Sequence, residues 1–382
     1  MKSFRTLFLL LALLATGCRK APDYSAFEAE MESFRNEIGN VGMAVAVVKD
    51  NELIYTHSFG VADLETGAPV TDSSLFRIAS ISKSFTAVSI LQLVEQGKLS
   101  LDADAGELAG FPIRNPRYPD TPITVAMLLS HTSSLNDSQG YFSFDGVRPD
   151  RNPDWAKCYN EYEPGTGYQY CNLNFNLLGS FLEKISGERF DQYVVGHLLR
   201  PLGLYGGYCV DSLDTSRFVK LYALNKDGVM TESVEAYEPR SERIRAYRTG
   251  EDTPLFSPTG GMKISAPDLA RWMRVHINYG TTPEGVRLIS ESSSKMMQTP
   301  RSEDEHYGFA LKVSDGGYVP GVRLVGHTGG AYGLRSAMFF DPEKKFGFVM
   351  ISSGCSNSAE EGDFHVINGS LRRMYDYFIK EN

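Results

Sequence analysis

Apolar residues recur at two different periods along this chain, and the change of period divides it into parts. Over residues 23–38 they fall at Phe27, Met31, Phe34 and Ile38, spacings that make one stripe of an amphipathic helix. Residues 43–48 and 52–58 read as strands flanking a Lys49-Asp50-Asn51 turn. Near the other end, 335–340 and 346–352 repeat that hairpin around Asp341-Pro342-Glu343-Lys344-Lys345. A closing helix is predicted over 369–380, with Leu371, Met374, Tyr375 and Phe378 facing in. Helix and strands at both ends imply an α/β fold in which one antiparallel sheet, flanked by helices, is shared by the two ends. Residues 23–97 and 257–382 then form the α/β part, and 98–256 an inserted, mainly helical region. The insertion carries helical stretches at 125–130, 172–186 and 190–199. Its polar loop at 136–160 is long enough to wall a substrate cleft.

Three short elements carry the candidate chemistry. Ser80 ends an extended run (74–78) and opens a helical one, with Ile81, Phe85, Val88, Leu91 and Val94 at spacings of three and four. Lys83 lies one turn further on the same face. An ammonium partly stripped of water there can lose its proton near neutral pH and accept one from the serine hydroxyl. The start of a buried helix also offers Ser80 the positive end of a dipole. The Ser-x-x-Lys pattern is weak by itself, because Ser292-Ser293-Ser294-Lys295 matches it too, inside a polar stretch that reads as an exposed helix start. The second element, Tyr170-Cys171-Asn172, follows the turn Glu163-Pro164-Gly165-Thr166, and the third is His327-Thr328-Gly329. Arg248-Thr249-Gly250 is a near miss for the third.

In this order the three elements resemble those of the serine β-lactamase and penicillin-binding-protein superfamily. The likeness is closer to the class C β-lactamase-like branch, with its D-aminopeptidases, DD-carboxypeptidases and esterases. It extends over nearly everything after residue 22, through Phe76-Arg77-Ile78-Ala79-Ser80, Leu128-Leu129-Ser130-His131-Thr132-Ser133, Pro201-Leu202-Gly203-Leu204 and Gly260-Gly261-Met262. The resemblance implies a β-lactamase/transpeptidase-like fold over 23–382 with the site between sheet and insertion. It implies Ser80 as nucleophile acylated by its substrate, with Lys83 or Tyr170 as base. Asn172, His327 and Thr328 are implied to bind substrate, and the N–H groups of Ser80 and Gly330 to form the oxyanion hole. Two departures stand out. His327 occupies a place usually held by Lys, and Ser134 one usually held by Gly. The first leans towards peptidase-like or esterase-like substrates rather than efficient β-lactam hydrolysis. A class C-type β-lactamase and a slow-turnover penicillin-binding sensor are the alternatives. His131 reads as a structural histidine.

Composition is that of an ordinary globular chain, 42% hydrophobic and 22% charged, with a formal charge of −9. Acidity without basic runs argues against nucleic acid as a partner, and the partner expected is a small-molecule or peptide substrate. No Cys/His spacing suits zinc, so no metal or cofactor is expected. Residues 1–17 read as a leader, with Lys2 and Arg5 before the apolar run Leu7 to Leu14, too brief to span a bilayer. Ala15-Thr16-Gly17-Cys18 resembles a bacterial lipobox, which would make Cys18 the lipidated first residue; plain cleavage after Gly17 is the alternative. Either way the chain is expected outside the cytoplasm, and with the lipid it would be a monomer held to a bacterial envelope membrane. Cys158, Cys171, Cys209 and Cys355 are left to pair as disulfides or to lie buried as free thiols.

Overall fold

The computed structural model describes residues 22–380 apart from 226, 304 and 356–361; residues 1–17, expected to be a leader, and Cys18 lie outside the described residues. The strands are β1 (Gly42–Lys49), β2 (Glu52–Gly60), β3 (Phe76–Arg77), β4 (Gly206–Gly207), β5 (Tyr222–Leu224), β6 (Met230–Glu232), β7 (Lys263–Ile264), β8 (Lys312–Asp315), β9 (Arg323–Ala331), β10 (Leu334–Asp341) and β11 (Phe346–Ser353). The helices are α1 (Ser25–Glu37), α2 (Ser82–Glu95), α3 (Ala105–Ala109), α4 (Val125–Leu129), α5 (Asn172–Ser186), α6 (Phe190–Val194), α7 (Ser241–Ala246), α8 (Ala266–Ile277), α9 (Glu291–Gln298) and α10 (Asn368–Phe378).

The two ends of the chain meet in a six-stranded sheet of order β2-β1-β11-β10-β9-β8. The pairs given by register, such as Val45↔Met350 and Phe339↔Phe348, are antiparallel. Position in the sheet explains each strand's sequence. β10 and β11 are buried along their whole length, as is β1 up to its last residue, so they read as nearly unbroken apolar runs. β2, at the margin, buries Tyr55 and Phe59, leaves His57 between them half-buried and exposes Glu52. Alternate side chains serve two cores. Met43, Val45, Val47, Phe339, Phe348 and Met350 meet Phe27 and Met31 of α1 and Leu371 and Met374 of α10. Ala44, Ala46, Val48, Met338, Val349 and Ile351 face the larger core that includes α2, α5 and α8. Each large side chain so covered contributes about 1.5–3 kcal/mol relative to exposure.

The larger core holds α2 rigidly. Residues from Ser82 to Leu91 are all buried, which is wider than the single apolar face read from the sequence. The rings of Phe85 and Trp272 stack at 4.0 Å, and the Trp272 indole N–H donates to Ser84 Oγ at 3.0 Å. Residues 98–256 contain α3 to α7 and also β4 to β6, so this region is not purely helical. β4 joins β3 and β7 in a small sheet of order β3-β7-β4, which ties the 98–256 region to both flanking segments. The polar loop at 136–160 includes two short 3-10 turns. All four described cysteines are free and buried, so the disulfide alternative does not hold. Cys171 instead donates its thiol to Asp137 at 3.3 Å.

β9 is only half covered on its outer side. β8 pairs with Arg323 to Gly326, and among the described residues no strand pairs there with His327 to Ala331. That open stretch faces the turn that carries Ser80.

Candidate active site

Ser80 sits in a single 3-10 turn, Ala79–Ile81, between β3 and α2. The chain reverses there through Ala79, whose φ of 46° lies in the left-handed region that costs a non-glycine residue about 1 kcal/mol or more. The turn is held from the side by β10 and β9. Ser336 Oγ donates to Ile78 O at 2.9 Å, and Gly329 packs so closely that a Cβ there would lie 2.4 Å from the same oxygen. Glycine at 329 is therefore what lets the free half of β9 approach the serine.

Lys83 is fully buried on the first turn of α2. Its Nζ donates to Ser80 Oγ at 3.1 Å, Asn172 Oδ1 at 2.9 Å and Thr259 O at 2.8 Å. Burial pulls its pKa well below the ordinary 10.5, and the Asp137 carboxylate only partly opposes that. The Nζ also lies 4.9 Å from the centre of the Tyr170 ring. Tyr170 shifts the other way. Its hydroxyl is buried, without a hydrogen bond of ordinary geometry among the described residues, and burial raises its pKa far above 10, with Ser80 offsetting little.

Asn172 opens α5, as the sequence suggested, but its own cap comes from elsewhere. Asp137 accepts from the backbone N–H groups of Asn172 (2.8 Å) and Leu173 (3.0 Å) and from Asn172 Nδ2 (2.9 Å). The side-chain bond fixes the amide so that Oδ1 points to Lys83, where it also accepts from Thr259 Oγ1 at 2.7 Å. One amide hydrogen is left for a substrate. Asp137 and Thr259 are the residues that sequence reasoning missed. Asp137 stands in an aperiodic loop, and Thr259 contributes a backbone oxygen, which no residue type advertises.

The charge of His327 is decided by its surroundings. At its ordinary pKa an imidazole would be charged only in part. The ring is buried, with Nε2 3.0 Å from Tyr307 Oη and Nδ1 against Thr328 O. Desolvation, helped by the nearby Lys83, lowers its pKa to about 3, so it is neutral at pH 7. His131 is structural as expected, and it braces the tyrosine. Its ring lies 4.4 Å from that of Tyr170, and Nδ1 accepts the Cys171 N–H at 3.2 Å.

Ser80, Tyr170, His327, Thr328 and Gly330 line one cleft of about 400 Å³, together with Ala331 and Arg335. Lys83 and Asn172 stand behind it, joined to Ser80 by the bonds above. The other Ser-x-x-Lys match has no such surroundings: Ser292 is exposed on α9, and Lys295 pairs with Glu291 at 2.6 Å.

The chain that carries this serine, buried lysine, tyrosine and asparagine is similar to known proteins over most of its length. A family model described as Beta-lactamase matches residues 27–368, and the chain belongs to that family. It is a serine hydrolase of the β-lactamase-related kind. It is 29% identical over 329 residues to penicillin-binding protein 4 of Amycolatopsis lactamdurans, covering 81% of each chain. It is 29% identical over 276 residues to esterase EstB of Burkholderia gladioli, covering 64% of this chain and 68% of that one. A D-aminopeptidase of Brucella anthropi is 25% identical over 321 residues; 82% of this chain matches just over half, 56%, of its length. Among solved structures, a penicillin-binding protein homologue from Pyrococcus abyssi superposes with a TM-score of 0.72 at 24% identity, over 92% of this chain and 79% of that one. The D-amino acid amidase of Ochrobactrum anthropi SV3 gives 0.70 at 21%, over 92% and 98%. These structural likenesses concern the fold.

Proposed function

We propose that the chain forms an acyl-enzyme on Ser80 and hydrolyses an amide, peptide or ester bond, with poor turnover of β-lactams. The observation that carries this is the 3.1 Å bond between Ser80 Oγ and a Lys83 amine that burial keeps short of charge. A neutral amine takes the hydroxyl proton as Oγ attacks the carbonyl carbon. The opposite shift at Tyr170 keeps it a phenol, so Lys83 acts as base and Tyr170 as a hydrogen-bond donor that relays a proton to the leaving group. The N–H groups of Ser80 and Gly330 would receive the oxyanion, an interaction worth about 3 kcal/mol in comparable sites. Water then attacks the acyl carbon and gives a proton to the same amine, the bond from that carbon to Ser80 Oγ breaks, and the proton passes to Oγ, which frees the acid and restores the hydroxyl and the neutral amine. A neutral His327 offers no fixed charge to the carboxylate of a β-lactam, which favours peptidase-like or esterase-like chemistry.

A fluorophosphonate probe tests the nucleophile: it should label Ser80 and ignore Ser292, and Ser80→Ala should lose several orders of magnitude of activity. Label on Ser292, or an active Ser80→Ala, refutes the reading. Steady turnover of D-amino-acid amides or short esters, against a stable adduct, separates a hydrolase from a slow sensor. Export and lipidation of Cys18 belong to the same proposal; palmitate should enter the wild type and not Cys18→Ala, and equal labelling would refute the anchor.

A further inference from the structure

Beside the Ser80 cleft lies a second cavity of about 240 Å³, whose walls include Arg77, Lys263, Arg240 and Tyr332. Its position is set by the small sheet. Arg77 and Lys263 are directly opposite one another in the β3–β7 pair, a placement of like charges that destabilises a sheet. Both are buried, at 9% and 4% exposure, where a charge without a counter-ion is expensive. Among the described residues neither makes an ion pair with a carboxylate; the buried Asp191 acts on Lys263 only at longer range and is itself paired with Arg189 at 2.6 Å.

Their protein contacts are incomplete in the direction of the cavity. Arg77 donates through Nε to Gly260 O at 2.9 Å and through Nη1 to Ala236 O at 3.2 Å; its Nη2 has no partner among the described residues. Lys263 donates one hydrogen bond, to Tyr208 O at 2.7 Å, out of the three an ammonium can make. Burial holds the basicity of Lys263 well below that of an ordinary lysine, and Arg77 beside it lowers it further, so an anion placed here would favour the ammonium form. Arg240 forms part of the wall and meets Glu238 at 3.5 Å, the glutamate itself being 62% exposed at the mouth. Glu235 is likewise exposed at the mouth. The inner wall thus carries basic groups, and the acids among the lining residues stand at the rim.

The cavity adjoins the catalytic cleft. Tyr332 follows Ala331 of the cleft wall, and its ring lies 4.9 Å from the Arg77 guanidinium. Phe142, 66% exposed, adds an apolar surface at the mouth, suited to the hydrocarbon part of a ligand.

We propose that this cavity is a carboxylate subsite, in which Arg77, Lys263 and Arg240 receive the carboxylate of an organic acid. The acid is either the far end of a substrate whose carbonyl lies at Ser80 or a free dicarboxylate. A carboxylate can accept from Nη2 of Arg77 and from Lys263 together, and its charge favours the protonated form of that lysine. The substrate arm rests on the Ser80 hydrolase reading; the binding arm does not.

Calorimetric titration of the Ser80→Ala protein with glutarate, adipate and suberate reads the binding arm without any hydrolysis. Binding should occur and weaken about tenfold or more in Arg77→Gln and in Arg240→Gln, the effect of losing one charge-assisted hydrogen bond. Arg240→Gln, nearer the surface, keeps the test readable if Arg77→Gln, whose two carbonyl bonds hold loops in place, fails to fold. The substrate arm compares mono-p-nitrophenyl esters of these acids with neutral esters of equal length. A preference for the charged esters that falls about tenfold in Arg240→Gln assigns the carboxylate to the substrate. Binding without such a preference assigns it to a free acid. No binding by any of the three acids and an ester preference unaltered in Arg240→Gln would overturn the proposal, as would binding that survives both substitutions. Failure to hydrolyse any ester while glutarate still binds would count against the Ser80 reading alone.

Discussion

Asp137 and Asn172 are joined twice, by the backbone N–H at 2.8 Å and by the side-chain amide at 2.9 Å, although 35 residues separate them. One carboxylate thereby caps α5 and turns the asparagine oxygen towards Lys83. Asp137→Ala should cost about 1 kcal/mol of stability as a lost cap. It should also lower kcat by about a hundredfold, because Asn172 is then free to turn and let Lys83 drift from Ser80. A purely structural role would leave the pH profile in place. Asp137 opposes the burial effect on Lys83, so its removal lowers the Lys83 pKa further. The acid limb of kcat/KM, which reports protonation of the base, should therefore move to lower pH in Asp137→Ala. An unmoved limb would show that the carboxylate acts on position alone.

Gly329→Ala should impair the site without touching a reacting atom. The added methyl would sit 2.4 Å from Ile78 O and 2.4 Å from Ser336 Oγ. Relief requires β9 to withdraw from the serine turn, at a cost of about 1–3 kcal/mol in stability and a drop of at least about tenfold in kcat. Thermal unfolding and single-turnover acylation measure the two parts. Wild-type acylation by Gly329→Ala would mean that the strand and the serine turn are not coupled.

The pH dependence of activity should carry no histidine limb from His327. With its pKa held near 3 by burial, the ring stays neutral over about pH 5 to 8, so kcat/KM for a carboxylate-bearing substrate should not fall there through loss of an imidazolium. His327→Gln should alter the level of activity and leave the midpoint of the acid limb unmoved. A shifted midpoint would show that His327 titrates in the working range after all.

His276 should be a source of acid lability. The ring is buried between Trp272 and Phe340, and neither nitrogen has a hydrogen-bond partner among the described residues. Its pKa is lowered from 6.5 to about 3. Above about pH 6.5 both folded and unfolded forms are neutral, and the shift has no effect on stability. Below that the unfolded chain takes up a proton the folded one refuses, so stability falls as pH drops towards 3. His276→Leu should raise stability at pH 7 by about 1–2 kcal/mol through removal of unpaired polar atoms, and should flatten the decline between pH 6 and 4. Denaturant titrations at the two pH values decide it; an equally steep decline in His276→Leu would move the cause elsewhere.

The sequence disclosed what depends on period and spacing. The apolar runs at β1, β10 and β11 and the stripe on α1 exposed the shared sheet, since burial on one or two faces leaves a direct trace in residue type. Ser80 with Lys83, and Tyr170 with Asn172, were legible because each pair is local. The relations between these pairs were not. Asp137 reaches Asn172 across a loop with no periodicity, Thr259 supplies a main-chain oxygen, and the neutrality of His327 comes from neighbours such as Tyr307 that are distant along the chain. The pairing of Arg77 with Lys263 arises from strands of two residues, too short for any pattern to announce.

The uncovered half of β9 has a consequence for what this protein can discriminate. Between His327 and Ala331 the strand is paired on one side with β10, and among the described residues no strand engages the peptide groups of its other side, beside the serine that reacts. An extended ligand laid along that rim is gripped by its own amide groups, as an added strand would be, and such a grip is blind to side chains. Breadth is thus the default of the rim itself. Whatever selectivity the protein has must be imposed at the ends of the ligand, where the chain leaves the strand and meets walls that can refuse it.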